Sequence, residues 1–197
     1  DNIDGITGKD IVISTNNLTD SVDEHPDATD ITILASGRDL TITQSLQINP
    51  QSTADEDVYV LASADELYLR DSYENGNAYN NPTRMSLNVS SASLALAAMD
   101  SMHLVNVDIS TGGGLGLASL DEINIWSTDG ARNTFNLKND LYVYADNAVK
   151  INDLDITGQL SNVYMESKTI NLTNVNFPAH SSVLLSSRDG TMGFYGS

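Results

Sequence analysis

Cysteine is absent from the 197-residue sequence, and basic residues are few. Without cysteine the chain forms no disulfides, thiolate metal sites or cysteine nucleophiles, so its fold depends on packing and backbone hydrogen bonds. Lys and Arg total 9 against 27 Asp and Glu, which gives a net charge of -18 at pH 7. Such a charge repels phosphate backbones and anionic membranes, so we expect no nucleic-acid partner.

Long hydrophobic runs are missing too. No stretch of about 18 apolar residues predicts a membrane-spanning helix, and we expect no membrane insertion. The first residues, DNIDGITGKD, lack the basic and apolar pattern of a signal sequence, so we expect a mature or excised segment. Hydrophobic residues still make up 40% and charged residues 18%, which is the composition of a folded chain.

A pair of apolar residues at alternate positions recurs seven times, each time followed two positions later by Ala or Ser. These first pairs are Ile31/Ile33, Val58/Val60, Leu94/Leu96, Leu115/Leu117, Leu141/Val143, Val163/Met165 and Val183/Leu185. A second pair follows in each unit and a third in most of them, which predicts short strands with one buried face. The units begin at unequal intervals, which a solenoid tolerates because extra residues leave at its corners.

The repeat predicts an all-β fold, a single-stranded right-handed parallel β-helix or β-solenoid with three strands per coil and about seven coils. Residues 1–30 are predicted to form an N-terminal segment, either a cap or an assembly strand, and residues 31–197 the solenoid repeats. A sandwich or barrel also fits short strands with frequent turns. The small residue at one phase of the repeat, as in ILAS and GLAS, favours the solenoid.

The segments INLTNVNFPAHSSVLLSSRDG and DLYVYADNAVKINDLDITG resemble the β-helical repeats of filamentous-haemagglutinin-type proteins and related large bacterial surface proteins. The resemblance spans about residues 30–197 and rests on a degenerate pattern. It implies secretion, a parallel β-helix and a role in adhesion or cell-surface structure, and it carries over no catalytic residue. We therefore expect an extracellular or bacterial cell-surface protein of the adhesin or fibre-forming type that is not an enzyme.

The alternative is a polysaccharide-active β-helix enzyme, either a lyase or a glycoside hydrolase. Such chemistry needs paired carboxylates at a groove, or a metal with a basic residue. The sequence contains no GHG and no adjacent pair of Asp residues, and its one RDG, at 188–190, falls in a turn of the repeat. A groove that brings two carboxylates together would favour this alternative.

Two excursions, at residues 71–84 and 126–134, interrupt the repeat between a second and a third strand, so we expect both at one edge of the solenoid. Repeat proteins often place their binding surface on such excursions. Their aromatic, amide and charged side chains are predicted to contact a cell-surface glycan, and solvated loops are the alternative. The predicted ligand-binding residues are Tyr73, Asn75, Asn77, Tyr79, Arg84, Trp126, Asp129 and Arg132.

The segment LTDSVDEHPDATD offers enough carboxylate oxygens for calcium, although its spacing matches no EF-hand. The predicted ligands are Asp20, Asp23, Glu24 and Asp27, and solvated acids are the alternative. No other cofactor is predicted.

The first and last apolar pairs, Ile11/Ile13 and Met192/Phe194, belong to incomplete coils. One chain could supply what the next one lacks, which predicts head-to-tail β-addition and an open filament. Truncation of a longer surface protein explains the same pairs equally well.

Overall fold

The computed structural model describes residues 11–13, 17–19, 31–49, 58–69 and 83–196. These residues form strands and no helix, which confirms the predicted all-β class. The strands are β1 (Ile11–Ile13), β2 (Asn17–Thr19), β3 (Ile31–Ser36), β4 (Leu40–Ile42), β5 (Leu46–Asn49), β6 (Val58–Ser63), β7 (Leu67–Leu69), β8 (Met85–Val89), β9 (Ser93–Ala98), β10 (Met102–Val105), β11 (Val107–Thr111), β12 (Leu115–Ser119), β13 (Glu122–Trp126), β14 (Asn133–Leu137), β15 (Leu141–Ala145), β16 (Ala148–Gly158), β17 (Asn162–Asn176) and β18 (Ser182–Tyr195).

The strands stack in parallel as a β-solenoid of about 5 turns. From β1 to β13, each strand pairs with the strand three further along the chain, as β4 does with β7 and β7 with β10. The pairing generates three ladders. The first ladder contains β3, β6, β9, β12, β15 and the first parts of β17 and β18. The second ladder contains β1, β4, β7, β10, β13, the start of β16 and the later parts of β17 and β18. The third ladder contains β2, β5, β8, β11, β14 and the end of β16, against which the last residues of β17 pair.

Alternate residues of each ladder point inward and form one hydrophobic core. Phe135 is the largest of the fully buried side chains, and it lies in the third ladder in register with Ile109 and Ile156. Four of the small residues that follow the first pairs, Ala98, Ser119, Ala145 and Ser167, are buried where the first ladder bends into the next corner, whereas Ala62 and Ser187 are half-buried. A small side chain at this position leaves room for the chain to bend.

The predicted phase of β6 is wrong. Tyr59 and Leu61 point into the core, while Val58 and Val60 are only half-buried. The sequence VYVLAS is apolar at every position before the small residues, so alternation alone did not decide which face is buried. Its neighbour decides it, because pairing with β9 aligns Tyr59 with the buried Leu94.

Strand β18 follows the predicted register but lies at the last position of the described stack. Met192 and Phe194 align with the buried Ile170 and Leu172 of β17. They are nevertheless 40% and 60% exposed, because β18 pairs with β17 and with no other described strand.

Candidate functional site

The corner between the second and third ladders varies in length, and between β4 and β5 it consists of the three residues 43–45. In its tight form a single residue with a left-handed backbone makes the bend, and these residues are Asn106, Asp153 and Asn174, with φ of 50°, 58° and 56°. Asn and Asp are the non-glycine residues that tolerate this conformation best. In its long form the chain makes an excursion, between β7 and β8 and between β13 and β14. Both excursions therefore leave the solenoid at the same corner, as the sequence predicted.

Arg84 holds the second excursion against the solenoid. Its Nε and Nη2 donate to the two carboxylate oxygens of Asp129 at 3.0 and 2.9 Å, and its Nη1 donates to Asp108 at 3.0 Å. The carbonyl of Ala131 accepts a further bond from Nη2 at 3.0 Å. The Arg84 guanidinium, as the largest cause, lowers the pKa of Asp129 to about 2. One side chain thus fastens three successive turns of the edge.

Arg132 makes a similar connection at the end of the excursion. Its Nε donates to Asp155 at 2.7 Å, and its Nη2 donates to the carbonyls of Leu154 and Asn174. These groups belong to β16 and β17, so Arg132 extends toward the other end of the solenoid from Arg84. Arg84, Asp129 and Arg132 are thus engaged with the protein itself, and their predicted contact with a glycan stays a prediction.

Trp126 is part of an aromatic row on the second ladder. Its ring meets His103 edge-on with centroids 6.0 Å apart, and His103 stacks on Tyr68 at 5.0 Å. The remaining predicted edge residues, Tyr73, Asn75, Asn77 and Tyr79, lie outside the described residues.

The predicted calcium ligands Asp20, Asp23, Glu24 and Asp27 also lie outside the described residues. Within the described ranges, no group of three or more His, Cys, Asp and Glu side chains is arranged to hold a metal ion. The acids at the corner after the first ladder interact with one another instead. Burial first, and then the charge of Asp121, raise the pKa of Asp100, whereas a hydrogen bond from Asn147 lowers the pKa of Asp121.

The outer surface of the first ladder carries a second candidate site, which we call the tyrosine face. Its outward residues form two columns along the axis. One column is Ala95, Gly116, Tyr142, Tyr164 and Leu184, and the other is Ala97, Ala118, Tyr144, Glu166 and Ser186. Small residues therefore occupy the β9 and β12 part of the face, between Val60 of β6 and the large residues of the β15 to β18 part. The step between them forms a depression of about 360 Å³.

The large residues of the tyrosine face are well exposed. Tyr142 is 53% exposed, Tyr144 38% and Leu184 59%. At the neighbouring corner Met99 and Leu120 are 58% and 52% exposed and border a second depression that Tyr144 also lines. These residues form a contiguous apolar surface, which is a common mark of a binding site.

Polar groups at the edge of the face position the rings. The Tyr142 hydroxyl donates to Asp140 Oδ2 at 3.3 Å, and desolvation together with the Asp140 charge raises the pKa of Tyr142. Asp140 in turn accepts bonds from the backbone and side-chain nitrogens of Asn162 at 3.0 to 3.1 Å. The phenol of Tyr142 is therefore neutral at physiological pH and held by a fixed partner.

The tyrosine face lies on the outward positions of the repeat, whereas the strands were predicted from its inward positions. The signal was nevertheless present in LYVYA, where Tyr142 and Tyr144 alternate with the buried Leu141 and Val143. Two outward tyrosines on one strand leave a large apolar surface in contact with water. Small outward residues in LGLAS, the first-ladder strand of the preceding turn, complete the pattern.

The outer surface of the third ladder is polar by comparison. One of its columns is Gln47, Asn88, Ser110, Asn136 and Thr157. The two ladders therefore give the solenoid chemically different sides.

The predicted assembly residues lie at opposite ends of the second ladder. Ile11 and Ile13 belong to β1 and pair with Leu40 and Ile42 of β4, whereas the exposed Met192 and Phe194 belong to β18. The residues that the structure describes include no helix long and apolar enough to cross a membrane. No family model, no curated protein and no solved structure matches the chain.

Proposed function

We propose that this chain is a non-catalytic bacterial surface protein of the adhesin or fibre-forming type, exported from the cell, in which the solenoid is a scaffold and the tyrosine face binds a partner on another surface. The resemblance of its repeats to filamentous-haemagglutinin-type proteins supports the location and the role. A parallel solenoid suits this task because its outer positions can vary while the inward ones preserve the core.

The tyrosine face carries this proposal. A chain with a net charge of -18 has abundant polar residues for a solvated surface, yet it exposes Tyr142, Tyr144 and Leu184 side by side. Leaving these side chains in water forgoes the free energy that burial of apolar surface provides, about 25 cal/mol per Å². A partner that covers the tyrosine face would provide this free energy of burial. Binding to a partner therefore accounts for the exposed apolar side chains, whereas solubility alone does not.

Several acids of the solenoid serve structural roles, which supports a non-catalytic protein. Asp108 and Asp129 bind Arg84, and Asp155 binds Arg132. A general acid or base needs a carboxyl group that can exchange its proton near neutral pH. The low pKa of Asp129 is unsuited to that work.

Cell binding tests the proposal. Labelled protein is added to bacterial and epithelial cells, and bound label is measured by flow cytometry. We expect saturable binding that the double variant Tyr142→Ser/Leu184→Ser reduces at least tenfold, while Asn88→Ser/Asn136→Ser on the third ladder binds as wild type does. Absence of saturable binding by the wild-type chain would refute the adhesive role, and equal binding by all three proteins would exclude the tyrosine face.

We also propose a finer geometry for the fold: a right-handed solenoid with three strands in every coil and about seven coils over the whole chain. The pairing of each strand from β1 to β13 with the third strand along the chain supports it. Right-handed crossovers between parallel strands are the rule. A crystal structure of the chain would test this count directly, and a left-handed path or a two-strand coil would contradict it.

Head-to-tail assembly is proposed as a second property of the scaffold, with β1 of a second copy as the strand that packs on β18. Met192 and Phe194 support it, since they occupy inward positions but are 40% and 60% exposed. Ile11 and Ile13 are apolar residues at the corresponding phase of the second ladder.

Sedimentation velocity over a hundredfold range of concentration tests this assembly. We expect larger species to form as the concentration rises, and Phe194→Asp to abolish them while leaving the folded monomer intact. A wild-type chain that stays monomeric throughout, or a Phe194→Asp variant that assembles equally well, would refute β1 addition to β18.

A further inference from the structure

The ring of Tyr142 has one occupied face and one open face. Tyr164 stacks on it with centroids 5.0 Å apart and planes 12° from parallel. Tyr164 lies one turn toward β18, so the opposite face of the Tyr142 ring is directed toward β12. There its neighbour in the column is Gly116, which has no side chain to cover the ring.

Tyr144 repeats this arrangement in the second column. The guanidinium of Arg188, a residue of β18, lies over its ring at 5.6 Å from the centroid. On the β12 side its neighbour is Ala118, which contributes only a methyl group. Two adjacent tyrosines therefore have a partner on the same side and small residues on the other.

The space left by the small residues has the size of a ligand site. Ala95, Ala97, Gly116 and Ala118 border the open side of the two rings and line one part of a depression of about 360 Å³, which extends past the tyrosines to Leu184 and Ser186. Sites for small ligands are usually concave, mainly apolar and between about 300 and 1,000 Å³. We call this place the ring notch.

We infer that the ring notch binds a neutral hexopyranose ring of a cell-surface glycan, stacked on the open face of Tyr142; this inference rests on the proposed adhesive function and identifies its ligand. The C–H face of a pyranose is flat and slightly positive, so it complements the negative face of an aromatic ring. The hydroxyls at the rim of the sugar would remain in water or meet the polar groups beside the rings.

Charge selects among sugars. The carboxylate of Asp140 accepts a bond from the Tyr142 hydroxyl, Glu166 follows Tyr144 in the second column, and the whole chain carries a net charge of -18. Uronic and sialic acids would bring a like charge to this surface, which costs binding free energy. Neutral hexoses avoid that cost.

Gly116 allows the notch to be filled without disturbing the fold. A Cβ built at this position meets Ala95 Cβ at 3.9 Å and Leu94 O at 4.0 Å, which are ordinary van der Waals distances. A larger side chain there points away from the core and extends the column of tyrosines. The tyrosine ring introduced by Gly116→Tyr is therefore expected to fill the ring notch and exclude a ligand from it.

Saturation-transfer NMR on the full chain tests the inference, with methyl β-D-glucopyranoside and methyl β-D-galactopyranoside as probes and methyl β-D-glucuronide as the anionic comparison. We expect transfer to the C–H protons of at least one neutral probe and little to the glucuronide. Tyr142→Ala should weaken that binding about tenfold, and Gly116→Tyr should abolish it. Tyr68→Ala on the second ladder, which lies outside the ring notch, should bind as wild type does.

Failure of the inference can be told from failure of the proposed function. If the wild-type chain binds cells through the tyrosine face but Gly116→Tyr leaves cell binding and probe binding unchanged, the ring notch is refuted and the adhesive role stands. If neither neutral probe receives transfer, or the glucuronide binds better, the assigned sugar class is wrong. If the chain binds no cells, the function on which the inference rests is itself refuted.

Discussion

Arg84 and Asp129 join through two parallel hydrogen bonds, Nε to Oδ2 at 3.0 Å and Nη2 to Oδ1 at 2.9 Å, although they belong to different turns of the solenoid. A guanidinium that binds a carboxylate with two bonds fixes orientation as well as distance. Because Asp129 also accepts bonds from Ser127 and Ala131, the pair gives the excursion between β13 and β14 a defined shape.

Arg84→Met should loosen this excursion without altering the core. We expect the free energy of unfolding to fall by about 1 to 2 kcal/mol, since the side chain is partly exposed and its bonds are charge-assisted. Urea denaturation measures the change. Lys138→Met removes an exposed cation from the third-ladder side and should change stability by less than about 0.5 kcal/mol. Equal effects of the two substitutions would contradict the role of Arg84.

The pair of Arg84 and Asp129 also predicts that the free energy of unfolding depends on pH in the acid range. The pKa of Asp129 is about 2 in the folded chain, below the value of about 3.9 for an unfolded Asp. A lowered carboxyl pKa stabilises the folded state above the unfolded pKa, and this stabilisation is lost as the pH falls from about 4 through 2. The difference in unfolding free energy between wild type and Asp129→Asn should therefore shrink over that range. A difference that stays constant from pH 5 to 2 would contradict it.

Two glycines with positive φ provide a matched comparison. A Cβ on Gly158, at φ 107°, would lie 2.0 Å from the carbonyl oxygen of Leu137, whereas a Cβ on Gly130, at φ 81°, would meet nothing within 4 Å. Gly130→Ala should cost about 1 kcal/mol for the backbone conformation alone. Gly158→Ala should cost at least about 3 kcal/mol, because backbone atoms of Leu137 in the preceding turn must move. Thermal or urea unfolding of both variants checks the order, and equal costs would contradict it.

Asn106 should be difficult to replace. It is fully buried with φ of 50°, its Nδ2 donates to Thr128 Oγ1 at 2.9 Å, and its Oδ1 accepts from the Thr128 backbone at 2.7 Å. Asn106→Gly keeps the backbone freedom but loses both bonds, and Asn106→Ala loses the bonds and strains the backbone. We expect the Ala variant to be less stable than the Gly variant by about 1 kcal/mol. Urea unfolding that ranks them the other way would show that the corner does not require a left-handed residue.

Substitutions of Leu172 and Phe194 test which of these two inward side chains is buried in the core next to β18. They are aligned at one inward position of adjacent strands, but Leu172 is 3% exposed and Phe194 60%. Leu172→Ala should lower the unfolding free energy of the monomer by about 2 to 5 kcal/mol, and Phe194→Ala by about 1 kcal/mol or less. Denaturation at low protein concentration makes the comparison. A larger loss at Phe194 would mean that this ring is covered in solution.

The parallel β-solenoid could be predicted from the sequence because the inward positions of most strands are strictly alternating. Leu115 and Leu117 have outward neighbours that are Gly or Ala, so only one face could be buried. In β6 the outward neighbours are apolar as well, and only the position of Leu94 in the next turn determines the register. Local patterning cannot supply that information because it comes from a strand far away in the sequence.

The candidate sites were harder to predict for a related reason. Arg84 and Arg132 were predicted from the sequence to bind a ligand. In the structure their partners are carboxylates and carbonyls one or two turns away. The open face of Tyr142 depends on the absence of a side chain at Gly116, which is adjacent only after the strands have stacked. Period-two patterns identify which residues face outward, but they do not identify which outward residues become neighbours.

The parallel ladders also determine how the scaffold responds to tension. The hydrogen bonds between successive turns run along the solenoid axis, while the strands run across it. A pull along that axis therefore acts on the bonds of one turn at a time rather than on all of them together, and turns contact only their immediate neighbours. Under load the protein would peel open in steps and lengthen by one turn per step. A chain that unfolds in this way absorbs mechanical work over several small steps.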